Sequence, residues 1–227
     1  MSNNKIKTIL FDLDGTLIDH FGAILKSYLH VYTILGFNLN NFHLTKKSLG
    51  HCTPVTLKQL VGDQHLDQAM LLYEDHYAKN LNEDLALIPG VIWLLKHLSL
   101  QNYKLAIFTN KPPRYAINHC KILQIDHFFD HIIGSNEATF KKPEKAFSEY
   151  ALKQTNSSPA TTILIGDSIF DIDAAHAVGM PIYSVTTGTH TKEELLSHPN
   201  QPTQIFDDLF QLGHKLFNLP SYKEILA

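Results

Sequence analysis

The sequence predicts an α/β fold: a doubly wound parallel sheet with Rossmann-like layers, and an α-helical cap domain inserted after the first strand. From residue 88 onward, short β-branched apolar runs alternate with amphipathic helical patterns, which is typical of a parallel sheet covered on both faces. Between about residues 18 and 85, only helical patterns occur. We therefore expect a core domain from residues 1–17 and 88–227, and a cap domain over residues 18–87.

The chain begins with a predicted buried strand and continues into the predicted cap. The strand is the apolar, β-branched run over residues 5–10. Apolar residues then recur at three- and four-residue steps over 21–36, which predicts the first cap helix. The other predicted cap elements are a turn over 46–49 capped by Thr45, a helix opening at Thr53-Pro54, and a helix over 66–80.

The core elements that follow alternate between strand and helix. The predicted strands cover residues 104–108, 131–133, 161–165 and 182–185. The predicted helices cover residues 91–100, 113–123, 143–154, 169–178 and 207–217.

Composition excludes several classes of partner. The net charge is −3 and no long basic run occurs, so neither nucleic acid nor a membrane surface is expected as a partner. Cys52 and Cys120 are the only cysteines and form no CxxC motif, which fits a reducing compartment. The sequence has no apolar run of membrane-spanning length, and Met1–Lys5 lacks signal-peptide character. We expect a cytoplasmic protein that is a monomer or a homodimer.

Two carboxylates stand at the end of the first strand. Asp12 and Asp14 are two residues apart, so they lean toward one side of the strand, and Gly15 allows a sharp turn after them. Ligands bind at the carboxyl ends of strands in open α/β sheets. Two adjacent like charges then predict a bound divalent metal, a proton shared between the acids, or both. The alternative is that these acids form a turn or cap a helix.

Two more polar groups fall at a predicted strand end and at a predicted helix start. Thr109-Asn110 ends the strand over 104–108, and its hydroxyl and backbone N–H suit a phosphoryl oxygen or, alternatively, a helix cap. Lys142 precedes Pro143 at a predicted helix start, where the helix dipole disfavours a cation. Lys142 therefore either meets an anion or is an ordinary solvated lysine.

The stretch Gly166–Asp171 follows the strand over 161–165. Asp167 and Asp171 are four residues apart, so both reach one site from a turn and a first helical turn. N-capping of the following helix is the alternative role for these acids and for Ser168.

Together these stretches resemble the motifs of the haloacid dehalogenase (HAD) superfamily, most of whose members are phosphatases. Asp12-Leu13-Asp14-Gly15-Thr16 is similar to its first motif, Thr109 to its second, Lys142-Pro143 to its third, and Gly166–Asp171 to its fourth. The similarity covers nearly the whole chain and includes the helical cap. Further likeness to the phosphoglycolate phosphatase group lies in Thr109-Asn110-Lys111, Ile88-Pro89-Gly90-Val91 and Gly179-Met180-Pro181.

The resemblance implies a Mg²⁺-dependent phosphatase that acts on a small phosphorylated metabolite. Asp12 would be the nucleophile that forms an aspartyl phosphate, and Asp14 the general acid and base, with a pKa raised by its neighbouring carboxylate. The implied metal ligands are Asp12, the Asp14 backbone carbonyl and Asp167; oxygen ligands suit Mg²⁺ better than zinc. Lys142, Thr109 and Asn110 would bind the phosphoryl group. Asp171, supported by Ser168, would orient Lys142 or a water.

Substrate contacts are expected from the cap, with residues 36–60 as the first region to consider. His20 stands near the cap hinge, where the family often has serine, and is a candidate together with His51. Lys111 and Arg114, just past the second motif, are candidates as well. Lys46 and Lys47 are candidates for an anionic tail, although solvent exposure is their simpler interpretation.

Five other functions are considered. A phosphomutase of the β-phosphoglucomutase type and a pyrophosphatase both remain open, because substrate contacts lie in the cap. A dehalogenase is disfavoured, because carbon–halogen displacement has no use for the acid at Asp14. A receiver domain is disfavoured, because the strand over 131–133 leads into Gly134-Ser135-Asn136 without an aspartate. A catalytically silent binding protein is disfavoured, because all motif residues are present.

Overall fold

The core is a six-stranded parallel sheet. A computed structural model describes residues 6–44, 46–135 and 141–220. In these residues the strand order is β5-β4-β1-β6-β7-β8. The strands are β1 (Thr8–Phe11), β4 (Lys104–Thr109), β5 (His131–Gly134), β6 (Thr162–Gly166), β7 (Ile182–Val185) and β8 (Gln204–Phe206).

Strand β1 lies at the centre of the sheet, where the strand order reverses. Phe11 at its end is in register with Ile107 of β4 and Ile165 of β6, and all three side chains are fully buried. Reversal of strand order opens a crevice at the carboxyl edge of a parallel sheet. The residues that follow β1, β4 and β6 therefore meet at one place.

Helices cover both faces of the sheet, as the sequence predicts. One apolar cluster joins Ile9 and Phe11 of β1 to helices α4, α5 and α9, and a second joins Leu10 to helices α6, α7 and α8. Alternate residues of β1 thus point to opposite faces. The helices are α4 (Val91–Leu100), α5 (Pro113–Ile122), α6 (Lys145–Gln154), α7 (Ile169–His176), α8 (Lys192–Ser197) and α9 (Leu209–Phe217).

The predicted cap is a helical layer with an apolar cluster of its own. Its helices are α1 (Phe21–Ile34), α2 (Thr53–Val61) and α3 (Leu66–Lys79). Tyr28, Leu57 and Tyr73 pack together from the three helices. A two-stranded antiparallel ribbon, β2 (Ile18–Asp19) with β3 (Ala86–Leu87), joins this layer to the core. The sequence did not reveal the ribbon, because two-residue strands carry no periodicity, and the domain boundaries at residues 17/18 and 87/88 stay a prediction.

Several predicted element boundaries shift. Helix α6 begins at Lys145 rather than Pro143, so Lys142 lies three residues before the helix. Helix α9 begins at Leu209, because the Asp208 carboxylate caps it by accepting from the Gln211 N–H at 2.7 Å. Strand β8 and helix α8 were not predicted; both are short, and α8 depends on a capping box between Thr191 and Glu194.

Two predictions lie outside the described residues: the cap at Thr45 and the absence of a signal peptide at Met1–Lys5. Across residues 6–44, 46–135 and 141–220, no helix has the length and apolarity needed to cross a membrane.

Candidate active site

The Asp12 carboxylate and the Lys142 ammonium form the centre of the site. Asp12 directly follows β1, and its Oδ1 accepts a hydrogen bond from Lys142 Nζ at 2.7 Å. Lys142 is only 4% exposed and also donates to the Phe108 carbonyl at 2.9 Å. The interpretation of Lys142 as a solvated lysine is therefore wrong. A buried ammonium of this kind requires anionic partners, and it has them.

Asp171 serves both as a helix cap and as a partner of Lys142. Its Oδ2 accepts from the hydroxyl and the backbone N–H of Ser168 at 2.6 and 3.1 Å, which completes a capping box at the start of α7. Its Oδ1 accepts from Lys142 Nζ at 2.6 Å. Capping thus fixes the orientation of a carboxylate that holds the ammonium beside Asp12.

Asp167 is held by residues that the sequence analysis missed. Its Oδ1 accepts from the Thr16 hydroxyl at 3.1 Å, and its Oδ2 accepts from the backbone N–H and hydroxyl of Thr189 at 2.7 and 2.8 Å. The backbone of Gly188 passes so close that any Cβ there would overlap this carboxylate. The missed signal is the polar run Thr186–His190, which follows strand β7 at the same edge of the sheet.

Three buried carboxylates, those of Asp12, Asp167 and Asp171, surround the single ammonium group of Lys142. Oxygen atoms of Asp12, Asp167 and Asp171 all lie within 4.8 Å of one another. Burial and the neighbouring carboxylates raise the pKa of Asp12 to about 8, against the attraction of Lys142. Burial also raises the pKa of Asp167 to about 6. A cluster of buried carboxylate oxygens with unfavourable charge is a donor set that fits a hard divalent cation such as Mg²⁺.

Thr109 and Asn110 connect the end of β4 to the Lys142 segment. The Asn110 side chain accepts from the Lys142 backbone N–H at 2.6 Å and donates to the Lys142 carbonyl at 3.2 Å. The Thr109 hydroxyl accepts from the Lys111 N–H at 3.2 Å. Both residues line the cavity described below. The Asn110 side chain therefore positions Lys142, a contact that sequence reasoning did not anticipate.

Asp14 is paired with a lysine and not with a carboxylate. Lys111 Nζ donates to both oxygens of Asp14, at 3.0 and 2.9 Å. Burial alone would raise the pKa of Asp14, but the Lys111 ammonium reverses this, and the net pKa lies below the usual value. The prediction that a neighbouring carboxylate raises the pKa of Asp14 is therefore wrong for this arrangement.

A cavity of about 70 Å³ lies over these groups, between core and cap. This is room for roughly five water molecules. From the predicted region 36–60, the cavity is lined by Leu49, Gly50, His51 and Thr53. The cap helices α1 and α3 supply most of the other cap-side lining residues: Phe21, Ile24, Tyr28, Tyr73, Glu74 and Tyr77. The sequence analysis missed most of these lining residues, because aromatic and apolar residues at helical spacing are typical of a hydrophobic core.

Some of the predicted substrate residues line the cavity and others do not. His51 and Lys111 line the cavity, and the His51 ring packs on Phe170 at 4.7 Å. Arg114 is not among the lining residues; its guanidinium pairs with Glu74. Lys46 and Lys47 are exposed; Lys46 stacks over Phe21, and Lys47 pairs with Glu194 of helix α8.

His20 is also outside the cavity lining, and it packs beneath the cap against His119 of helix α5. The two rings meet edge to face at 4.4 Å, and both side chains are fully buried. The Tyr77 hydroxyl lies 3.1 Å from His20 Nδ1, and the Leu81 carbonyl lies 3.1 Å from His119 Nε2. Burial and the Lys111 charge lower the pKa of His20 to about 4 and that of His119 to about 3.

These two histidines predict a loss of stability in mild acid. Because the folded protein keeps them neutral while the unfolded chain protonates near pH 6.5, their stabilisation is complete above pH 6.5 and decreases as pH falls toward 4 and 3. We expect the free energy of unfolding to fall by about 2 kcal/mol per histidine between pH 7.5 and 5. Urea unfolding at the two pH values measures this difference. His119→Gln should reduce it and exposed His127→Gln should not; equal pH dependence in both variants would contradict the assignment.

Comparison with known proteins identifies the family. The model of the haloacid dehalogenase-like hydrolase family matches residues 9–185. A phosphoglycolate phosphatase from Haemophilus influenzae is 29% identical over 224 residues, covering 92% of this chain and 98% of that protein. Another from Pseudomonas putida is 28% identical over 212 residues, covering 89% of this chain and 77% of that protein. A haloacid dehalogenase-like hydrolase structure from Streptococcus pneumoniae is 30% identical with a TM-score of 0.80, covering 91% and 96% of the two chains.

This chain belongs to the haloacid dehalogenase-like hydrolase family, whose fold and acidic site it carries at the carboxyl edge of its sheet. Within that family it is similar in sequence to enzymes named phosphoglycolate phosphatase.

Proposed function

We propose that this protein is a Mg²⁺-dependent phosphatase that hydrolyses a small, phosphoglycolate-like phosphomonoester through an aspartyl phosphate on Asp12. The observation that carries the proposal is the buried cluster of Asp12, Asp167 and Asp171 around Lys142, beside a small cavity. The two cysteines are free and buried, which supports the cytoplasm as the compartment.

Each side chain then has a definite task. An oxygen of Asp12 attacks phosphorus in line, and the bond from phosphorus to the ester oxygen breaks. Asp14, which must first take up a proton against the charge of Lys111, gives that proton to the leaving oxygen. The Asp14 carboxylate then takes a proton from the water that attacks the aspartyl phosphate, so Asp12 is regenerated and inorganic phosphate is released. Thr109 and the Asn110 N–H hold phosphoryl oxygens, and Lys142 offsets their charge.

Charge decides whether the substrate phosphate can enter. A carboxylate about 4 Å from one phosphate charge is repelled by about 4 kcal/mol at an effective dielectric near 20. Among the residues that the structure describes around the site, the carboxylates of Asp12, Asp14, Asp167 and Asp171 are paired with two ammonium groups, those of Lys111 and Lys142. Asp12, Asp167 and the Asp14 backbone carbonyl would hold Mg²⁺. When bound, Mg²⁺ supplies the double positive charge that makes the approach of a phosphate favourable.

The first test is phosphate release from a panel of 2-phosphoglycolate, pyrophosphate and hexose 1-phosphate, with Mg²⁺ and with excess chelator. We expect release from 2-phosphoglycolate with Mg²⁺, and a fall of at least about 100-fold when the cation is removed, because several kcal/mol of charge stabilisation is lost. Conversion of hexose 1-phosphate to its 6-phosphate without phosphate release would favour a mutase. No release from any compound with Mg²⁺ would contradict the proposal.

A further inference from the structure

The loop that follows strand β7 packs directly against the Asp167 carboxylate. The Thr187 hydroxyl donates to the Gly15 carbonyl at 2.7 Å, which ties this loop to the turn after β1. The backbones of Gly15 and Gly188 pass so close to Asp167 that a Cβ on either glycine would overlap the carboxylate. Asp167 is only 1% exposed. The side chain therefore has little room to turn, and its orientation depends on the donors around it.

Three donors from the protein hold the Asp167 carboxylate. Thr16 donates to Oδ1 through its hydroxyl, and Thr189 donates to Oδ2 through both its backbone N–H and its hydroxyl. An ionised carboxylate has about four acceptor positions, so these three bonds direct the remaining one. A hydroxyl hydrogen rotates to suit its neighbours. The group beside Thr189 Oγ1 therefore decides whether this hydrogen points to Asp167.

His190 is the group beside the Thr189 hydroxyl. Its Nδ1 lies 2.9 Å from Thr189 Oγ1, and the residue is only 6% exposed. Thr189 has a single hydroxyl hydrogen, and a carboxylate that binds a cation is ionised and can only accept. The hydrogen between Thr189 and His190 must therefore come from Nδ1 of the ring, whether the imidazole is neutral or protonated. A chain of donors runs from His190 Nδ1–H to the Thr189 hydroxyl and on to Asp167 Oδ2.

We infer that His190 is a positioning residue of the cation site, which aims the Thr189 hydroxyl at Asp167 and so fixes this carboxylate for a divalent cation. Each hydrogen bond in such a chain polarises and strengthens the next. Groups that bond to metal ligands, rather than to the metal, typically change metal affinity by about 10- to 100-fold when they are removed. The inference rests on the proposed function, because it takes Asp167 as a ligand of Mg²⁺.

The test measures Mg²⁺ binding by calorimetry, without substrate, in variants that differ in what residue 190 can donate. His190→Leu removes the donor but no charge at pH 8, because burial lowers the pKa of His190 below its usual value. We expect the Kd for Mg²⁺ to rise about 10-fold in this variant, the lower end of the range for such outer partners. His190→Asn places an amide N–H at the position of Nδ1 and should keep most of the affinity. His127→Leu, at an exposed histidine, is the matched control and should leave the Kd unchanged.

Further variants separate the hydrogen bond from packing. Thr189→Val removes the hydroxyl through which His190 acts, so His190→Leu should cause no further loss of Mg²⁺ affinity in that background. His190→Gln keeps a polar side chain, in case leucine is not tolerated, but its amide reaches the position of Nε2 and should not restore the affinity. Urea unfolding without metal shows that each variant compared is folded.

Three results would overturn the inference: unchanged Mg²⁺ affinity in His190→Leu or His190→Gln, an equal loss in His190→Asn, and an equal effect of His190→Leu with and without the Thr189 hydroxyl. None of these measurements requires turnover, so absence of phosphate release by the unmodified enzyme counts against the proposed function alone. Absence of Mg²⁺ binding by the unmodified protein would overturn the inference together with the metal dependence of the proposed function.

Discussion

Replacing Asp12 by asparagine is expected to lower kcat by about 10⁵-fold or more, because an amide cannot form the phosphoenzyme and loss of a nucleophile has effects of this order. The fold should survive the change. Burial and the surrounding carboxylates already hold the pKa of Asp12 at about 8, so a neutral group at this position relieves charge repulsion. The free energy of unfolding without metal should therefore be unchanged or slightly higher.

The measurement is phosphate release under saturating substrate and Mg²⁺, together with urea unfolding of the same preparation. Asp75→Asn is a matched control, because Asp75 is an exposed carboxylate paired with Lys79 on helix α3. It should leave turnover intact. Turnover within 10-fold of the unmodified enzyme in Asp12→Asn would remove Asp12 from the nucleophile role.

The sequence predicted the fold class and most core elements because the signals were local. Each core strand is a short apolar run, and the polar residues after β1, β4 and β6 are adjacent to those runs in sequence. Parallel pairing then places Asp12, Thr109 and Asp167 at one edge, whatever the details of packing. These residues are far apart in sequence, but their proximity was predictable because the topology of the sheet brings them together.

The contacts that the sequence did not predict depend on tertiary packing. Lys111 and Asp14 are 97 residues apart, and Tyr115 and Glu74 are 41 apart, so no spacing rule connects them. The direction of the pKa shift of Asp14 was predicted wrongly for the same reason. Whether the pKa of a buried carboxylate rises or falls depends on which charged group lies beside it, and here that group is Lys111. Likewise, the position of Lys142 alone left open whether it meets an anion or is solvated, and its contacts with Phe108 of β4 and Asp171 of α7 decide between the two.

Replacing Lys142 by methionine should have the second largest effect, and it should reduce both stability and turnover. The change leaves Asp12 and Asp171 buried without their shared counter-ion. Removing one partner of a buried ion pair costs about 3–5 kcal/mol of unfolding free energy. Turnover should fall by about 10³-fold, because the positive charge that offsets the phosphoryl group in the proposed reaction is lost. Lys145→Met, at an exposed lysine paired with Glu149, should change neither quantity.

The dependence on pH and Mg²⁺ distinguishes loss of charge from loss of packing in Lys142→Met. If charge is the cause, the stability deficit should shrink as pH falls toward about 8, since loss of Lys142 raises the pKa of Asp12 further and the variant therefore protonates this carboxylate before the unmodified protein does. Added Mg²⁺ should also restore part of the stability, because a divalent cation replaces the missing positive charge among the carboxylates. Turnover should stay low even so, because the ammonium that offsets the phosphoryl charge in the proposed reaction is gone. A deficit that is independent of both pH and Mg²⁺ would mean that Lys142 acts through packing of its aliphatic stem, and the electrostatic role assigned to it would be wrong.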